Sequence, residues 1–351
     1  MTIDLTGGLS EDLEFVFATQ PDEPEMHESV NAWIWDDGTD FALPRCGVEA
    51  VGDQWSTHGM QVNVAFADGR VFNILGQGPI HDPAGADGRA RILGAGPISM
   101  ELVEPYKHLR LHVHGDAAPT SVAAQMDGEL QGRGERVPVD IEIDIRPAIP
   151  PWMNGALLDD ARHVMETSEE GDLMGYPWRF EQLCRAEGTV RVGNETHQLR
   201  GGANRIRRQS IRRTATLRGH AWQAAIFPSG RGFSYITYPP RDDGKPTYNE
   251  GYIFEGDGEL VPARAVDPPW LRTLTPSGES VPCRLETEDG KVVEIDGETA
   301  LSTFMVMPPD LGGGLQLHQA VVRYTWDGET ANGMLERSTA PGQLRSSGES
   351  R

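Results

Sequence analysis

Apolar and polar residues alternate in short bursts along this chain instead of recurring every three to four positions. The alternation is clearest at residues 62–66, 109–114, 140–146, 188–192, 233–238 and 321–326, and a period of two predicts half-buried β-strands. Between the bursts stand Ala67-Asp68-Gly69, Met126-Asp127-Gly128, Val192-Gly193-Asn194, Pro228-Ser229-Gly230, Glu288-Asp289-Gly290 and Trp326-Asp327-Gly328. Such residues tolerate the positive φ that hairpin turns need, so an antiparallel meander is the simplest topology. One stretch, residues 154–168, has helical spacing, with Leu157, Leu158, Ala161, Val164 and Met165 on one face after a Pro-rich approach through Pro147, Pro150 and Pro151. It reads as a bridge between two halves. The division expected from this is a first domain over residues 1–150, a linker with a short helix over 151–174, a second domain over 175–340 and a polar, frayed tail over 341–351. The acidic run from Glu166 to Asp172 reads as a solvated loop.

Length and composition agree with two units. A chain of 351 residues exceeds one typical core, and 41 Gly and 25 Pro interrupt it too often for long helices. Lys and Arg number 31 against 53 Asp and Glu, a net charge of −22 that repels nucleic-acid phosphates and anionic membrane surfaces. Cys46, Cys184 and Cys283 are odd in number and far apart, which predicts reduced structural thiols and neither a disulfide framework nor a zinc site. The N-terminus is acidic and no run approaches a membrane span, so the expected location is the cytoplasm. Oligomeric state is not legible. Periodicity alone leaves a closed barrel and a sandwich both open.

Longer motifs choose between them. Phe180-Glu181-Gln182, the run from Gly188 to Gly193, Gly202-Ala203-Asn204-Arg205, Gly219-His220-Ala221-Trp222 and Ser229-Gly230-Arg231-Gly232-Phe233 together resemble the middle of the AttH-like and hydroxyneurosporene-synthase (carotenoid 1,2-hydratase) superfamily. Arg323-Tyr324-Thr325-Trp326-Asp327-Gly328 with Gly333-Met334-Leu335-Glu336 is similar to its final hairpin, and Glu28-Ser29 before Trp33 and Trp35 resembles the opening of a largely uncharacterised branch. The resemblance implies an all-β fold of two tandem lipocalin-like barrels, with a ligand site within or between them. It also implies activity of hydratase, cyclase or pericyclase type on terpenoids or polyketides. Relatives commonly carry an Asp-His cluster shortly after the Gly-rich start of this strand, where an acid can protonate an alkene. Here the chain reads Arg205-Ile206-Arg207-Arg208-Gln209-Ser210-Ile211-Arg212-Arg213, and that proton donor is missing.

No carboxylate occurs between Glu195 and Asp242, while nine arginines do from Arg200 to Arg241. On a strand, Arg205, Arg207, Gln209 and Arg213 share one face and Arg208, Ser210 and Arg212 the other. An inward set would suit an acidic ligand head, since guanidinium forks match carboxylates. Surface ion pairs with the acidic remainder of the chain are the plainer reading.

Two function classes follow. The first is a cofactor-independent enzyme of lyase, isomerase or cyclase type on a small apolar terpenoid-, polyketide- or steroid-like substrate. Glu28, His220 and Glu250 are its candidate catalytic residues, and Trp33, Trp35, Trp222 and Tyr235 candidate substrate contacts. The second is a non-catalytic carrier or sensor of an acidic apolar ligand, held by Arg205, Arg207, Gln209 and Arg212. His108, His112 and His114 alternate on one strand face without a convincing third ligand, so no metal is expected. Phosphate-cradling Gly-rich motifs are absent, and no nucleotide cofactor is indicated.

Overall fold

Alternation translates into pairing most directly where Leu109, Leu111 and Val113 lie opposite Ile145, Ile143 and Ile141, all buried, while Arg110, His112 and Glu142 face outward. β-Branched side chains on one face of a pleated strand fill a core and leave the other face wet. The computed structural model describes residues 3–213, 218–306, 314–340 and 343–344.

The first sheet contains β1 (Met26–Asp36), β2 (Phe41–Val51), β3 (Thr57–Phe66), β4 (Arg70–Pro79), β5 (Ile92–Ala95), β6 (Ile98–Glu104), β7 (His108–Ser121), β8 (Val137–Pro147), β9 (Trp152–Met153), β10 (Arg179–Val192) and β11 (Glu195–Ile211). Its order is β4-β3-β2-β1-β11-β10-β8-β7-β6-β5, with β9 on β10. The long β7 pairs with β6 through its first half and with β4 at residues 118–121, and the β4 contact closes eight strands into a ring. The second sheet is a closed barrel of β12 (Gly219–Ile226), β13 (Gly232–Thr237), β14 (Asn249–Phe254), β15 (Val261–Ala265), β16 (Cys283–Thr287), β17 (Val292–Val306), β18 (Gln316–Trp326) and β19 (Glu329–Thr339). Two antiparallel barrels, each a meander, are thus the architecture, as the motifs implied.

Strand pairing divides the chain elsewhere than the Pro-rich segment suggested. β10 and β11 pair with β8 and β1, so residues 179–211 complete the first barrel. The helical segment is an excursion from that barrel, formed by α2 (Asp159–Thr167) and α3 (Glu169–Met174), and a shorter α1 (Val122–Met126) follows β7. Crossover to the second barrel comes between Ile211 and Gly219. The Met126-Asp127-Gly128 turn therefore ends a helix and does not join a hairpin. The acidic run spans the end of α2 and most of α3 and is not a loop; Glu166, Glu169 and Asp172 are exposed, but Glu170 is buried, accepts the Tyr248 N–H at 2.6 Å and pairs with Arg218. The expected tail lies mostly outside the described residues.

Each barrel is filled by its own inward side chains, Ile34, Leu43, Leu111 and Ile143 among those of the first, and Phe227, Phe233, Leu285 and Tyr324 among those of the second. A third apolar cluster lies in the seam between them. It includes Trp33, Trp35, Trp152, Trp222, Tyr252 and Phe304. Strands at the seam lose their alternation because both faces are covered, so β13 is buried at every position. Gly202 belongs to this packing: a Cβ there would meet the Trp35 indole at 2.4 Å. Cys46, Cys184 and Cys283 are free and buried, and no described helix is long and apolar enough to cross a membrane.

Candidate functional site

The face rule for the arginine strand holds, but the two faces have different fates. Arg205, Arg207 and Gln209 point into the first barrel, where the N-terminal segment closes its end. Arg205 meets Glu14 in a two-pronged contact at 2.6 and 2.8 Å and also bonds Gln182. Arg207 pairs with Glu28 at 2.9 Å and donates to the Phe15 carbonyl at 2.7 Å; Gln209 donates to the same two groups. Glu28 further accepts the Phe17 N–H at 3.0 Å. These arginines are neither surface charges nor free to pair with a ligand, because each has its own carboxylate, although the Arg207 Nε finds no acceptor among the described residues. Glu28 is fully buried in this plug and cannot reach a substrate.

Glu250 is equally committed. Its carboxylate accepts from the Trp152 indole, the N–H groups of Gly155, Leu157 and Leu158, and the Tyr248 hydroxyl, all between 2.6 and 2.9 Å. Burial raises its pKa, opposed by those donors. The residue pins the helical excursion onto the second barrel. Tyr235 points inside that barrel, its hydroxyl on Gln223 at 2.6 Å. Trp33 and Trp35 pack in the seam, ring centroids 6.4 Å apart, and contribute core.

The remaining predicted residues, Arg212, His220 and Trp222, come together. They line a seam cavity of about 190 Å³ with Arg45, Leu173, Met174, Arg179, Arg208, Ile236, Tyr238, Leu315, Leu317 and Glu336. An adjoining cavity of about 330 Å³ shares Arg45 and Leu317 and continues past Glu49 and Met60. His220 and Trp222 alternate on the outward face of β12, opposite Ser338 and Glu336 of β19. His220 Nδ1 lies 2.6 Å from Ser338 Oγ and Nε2 3.4 Å from Glu336 Oε1. One tautomer satisfies both contacts: Ser338 donates to Nδ1, and Nε2–H points at the carboxylate. Burial alone would raise the Glu336 carboxyl, but Arg45 at 3.3 Å, His220 and the Gln319 amide at 2.6 Å outweigh it and bring the pKa down to about 2.

Three of these residues were not singled out in the sequence. Glu336 sits inside the final-hairpin motif without marking itself. Arg45 occupies a bulge in β2, where pairing with β3 slips between Ala42 and Gly47, and its backbone is left-handed at φ +66°. A non-Gly residue held there costs of order 1–3 kcal/mol and marks functional sites more often than chance. Pro44 and Gly47 flanking it were the available signal. Arg208 was placed on the correct face but not distinguished from Arg212.

A larger cavity of about 490 Å³ lies elsewhere, against Pro228. It is lined by Asp37, Asp144, Arg146, Arg185, Glu187 and Arg200 among others. It is open and of mixed charge, and it lacks both an imidazole and an aromatic wall. Among the described residues no three His, Cys, Asp or Glu are placed to hold a metal ion, and His108 and His114 pair with Asp144 and Asp140.

A crystal structure of an AttH from Nitrosomonas europaea superposes with a TM-score of 0.54 at 12% identity, over 93% of this chain and 99% of that one. Kievitone hydratase from Nectria haematococca superposes with a TM-score of 0.50 at 10% identity, over 95% of each chain. The AttH-like tandem-barrel fold read from the motifs is therefore the fold observed. No curated protein matches the sequence. A family model covers residues 17–341, and on that match the chain belongs to the family described as a domain of unknown function, DUF7064.

Proposed function

We propose that this chain is a cofactor-independent enzyme that moves a proton on a small, largely apolar molecule bound in the seam, with His220 and Glu336 as the proton-handling pair. One observation carries the reading: an imidazole and a carboxylate 3.4 Å apart face a cavity whose other walls include Trp222, Ile236, Leu315 and Leu317. An imidazole is suited to give or take a proton near neutral pH, and an ionised neighbour fixes its tautomer and steadies its cationic form. Trp222 and Tyr238 offer aromatic faces for developing positive charge. Since the superfamily's Asp-His position is occupied by arginine, β12 and β19 supply the acid–base group in place of β11. The occurrence of a hydratase on the same fold supports chemistry of lyase, isomerase or cyclase type. The substrate in this reading is terpenoid-, polyketide- or steroid-like, the class that suits an apolar cavity with aromatic walls.

The second reading is a carrier of an acidic apolar ligand, favoured by the crowding of Arg179, Arg208 and Arg212 along one cavity wall. A single experiment separates the two. Native mass spectrometry of protein purified from its own host identifies a retained small molecule, which is then incubated with wild type and His220→Gln. An enzyme converts it, and the substitution slows conversion on the order of 10²–10⁴-fold while binding persists. An unchanged rate in the variant removes His220 from the chemistry. Recovery of the ligand intact from wild type selects the carrier.

A further inference from the structure

The charges around the seam cavity do not balance. Arg45, Arg179, Arg208 and Arg212 line it, and three carboxylates answer them among the described residues. Glu336 takes Arg45 at 3.3 Å, Glu181 takes Arg179 at 2.7 Å and Glu49 takes Arg212 at 3.1 Å. Glu49 also holds His27 at 2.8 Å, so it is already shared. Arg208 is left over. Its Nε donates to the Met174 carbonyl at 3.0 Å, its Nη1 reaches Ser29 Oγ only at 3.4 Å, and the nearest carboxylate oxygen, on Glu49, stands 3.8 Å away. The group is 4% exposed. Desolvation, and then the like charge of Arg212, push its pKa well down. A second donor of the lining is also unanswered: the indole N–H of Trp222 is buried and has no acceptor among the described residues.

A buried guanidinium with only a distant, shared counter-ion is unfavourable, whereas a bound anion both neutralises it and accepts its donors. The surplus is one charge, which suits a monocarboxylate and not a phosphate dianion. Apolar residues Leu173, Met174, Ile236, Leu315 and Leu317 complete the wall and suit a hydrocarbon body.

We infer that the seam cavity is built for an apolar monocarboxylate, its carboxylate on Arg208 beside the Trp222 indole N–H and its hydrocarbon body along the apolar wall. This rests on the seam cavity being the ligand site, as proposed above, and adds the head-group chemistry. Arg208 and Trp222 line the cavity from different barrels, so such a ligand bridges the two.

Isothermal titration of the full-length protein with octanoate, 1-octanol and octyl phosphate tests it. Wild type should bind octanoate at least about tenfold more tightly than octanol, the usual margin for a charge-assisted contact. Arg208→Gln should abolish that margin and leave octanol affinity unchanged. Trp222→Phe, which keeps an aromatic face but removes the N–H together with part of the indole, should weaken octanoate several-fold more than octanol, and it serves if the arginine variant does not fold. Equal binding of acid and alcohol by wild type, a margin that survives both substitutions, or tighter binding of octyl phosphate than of octanoate overturns the inference alone. Binding of none of the three overturns it together with the reading of the seam cavity as a ligand site.

Discussion

The plug in the first barrel and the cavity in the seam both bury arginines of β11, yet they differ in how completely those arginines are answered. In the plug, Arg205 and Arg207 each own a carboxylate, Glu14 and Glu28; Gln182 takes a further Arg205 donor and the Phe15 carbonyl a further Arg207 donor, while the Arg207 Nε is left without an acceptor among the described residues. In the seam, Glu49 is divided among Arg208, Arg212 and His27. One strand with a two-residue period therefore carries a structural staple on one face and an unfinished site on the other. Saturation of charge separates the two roles; burial does not. Glu250, with its five donors, falls on the structural side by the same test.

The largest expected effect breaks the plug. Glu14→Ala leaves Arg205, 1% exposed, without its carboxylate, and removing one partner of a buried pair costs about 3–5 kcal/mol. Chemical denaturation should show that loss. Because Glu14 also accepts the Tyr106 N–H at 3.0 Å, the N-terminal segment should become more open to proteolysis. An unchanged midpoint would mean that the plug is not what closes the first barrel.

The seam is expected to respond to acid. The pKa of Glu336 is depressed to about 2 in the folded chain, below the roughly 4.3 of an unfolded glutamate. A depressed carboxyl contributes stability that is present above the unfolded value and is lost as pH falls toward the folded one. Between about pH 4.5 and 2 the stability difference between wild type and Glu336→Gln should therefore shrink, by on the order of 2 kcal/mol. Parallel pH profiles for the two proteins would show that Arg45 and His220 do not hold this carboxylate.

How far the sequence could go follows from the same contrast. Alternation at residues 109–114 and 140–146 located strands because one face of β7 and β8 meets solvent. Residues 233–238 and 321–326 alternate as well, yet the seam buries β13 at every position and β18 at nearly all, because a period of two cannot report a second core. The Pro-rich run at 147–152 looked like an interdomain linker because an excursion and a linker have the same local chemistry. Only the pairing of β11 with β1, across about 170 residues of sequence, tells them apart. Likewise the Gly-rich motif straddles both barrels: Gly202 and Arg205 belong to the first, His220 and Trp222 to the second. Of the residues lining the proposed site, His220, Trp222 and Arg212 were named from type and position. Glu336 and Arg45 were not, since their significance lies in a strand neighbour and in a backbone bulge.

The smallest expected effect uses the end of the same strand. Arg213 continues the alternation of Arg205 and Arg207 but lies beyond Ile211, the last residue of β11, and its side chain is about half exposed. It pairs with Glu25 at 3.0 Å and lies 3.9 Å from Asp172. Exposed pairs are screened by water and salt, and the entropy lost in holding two long side chains offsets most of their attraction. Arg213→Gln should leave the thermal midpoint unchanged at both low and high salt, although the geometry of the pair looks as good as that of Arg205 with Glu14. A measurable, salt-sensitive loss would mean that contact geometry, and not burial with saturation, sets the worth of an arginine on this strand. The distinction between plug, seam and surface would then have to be redrawn.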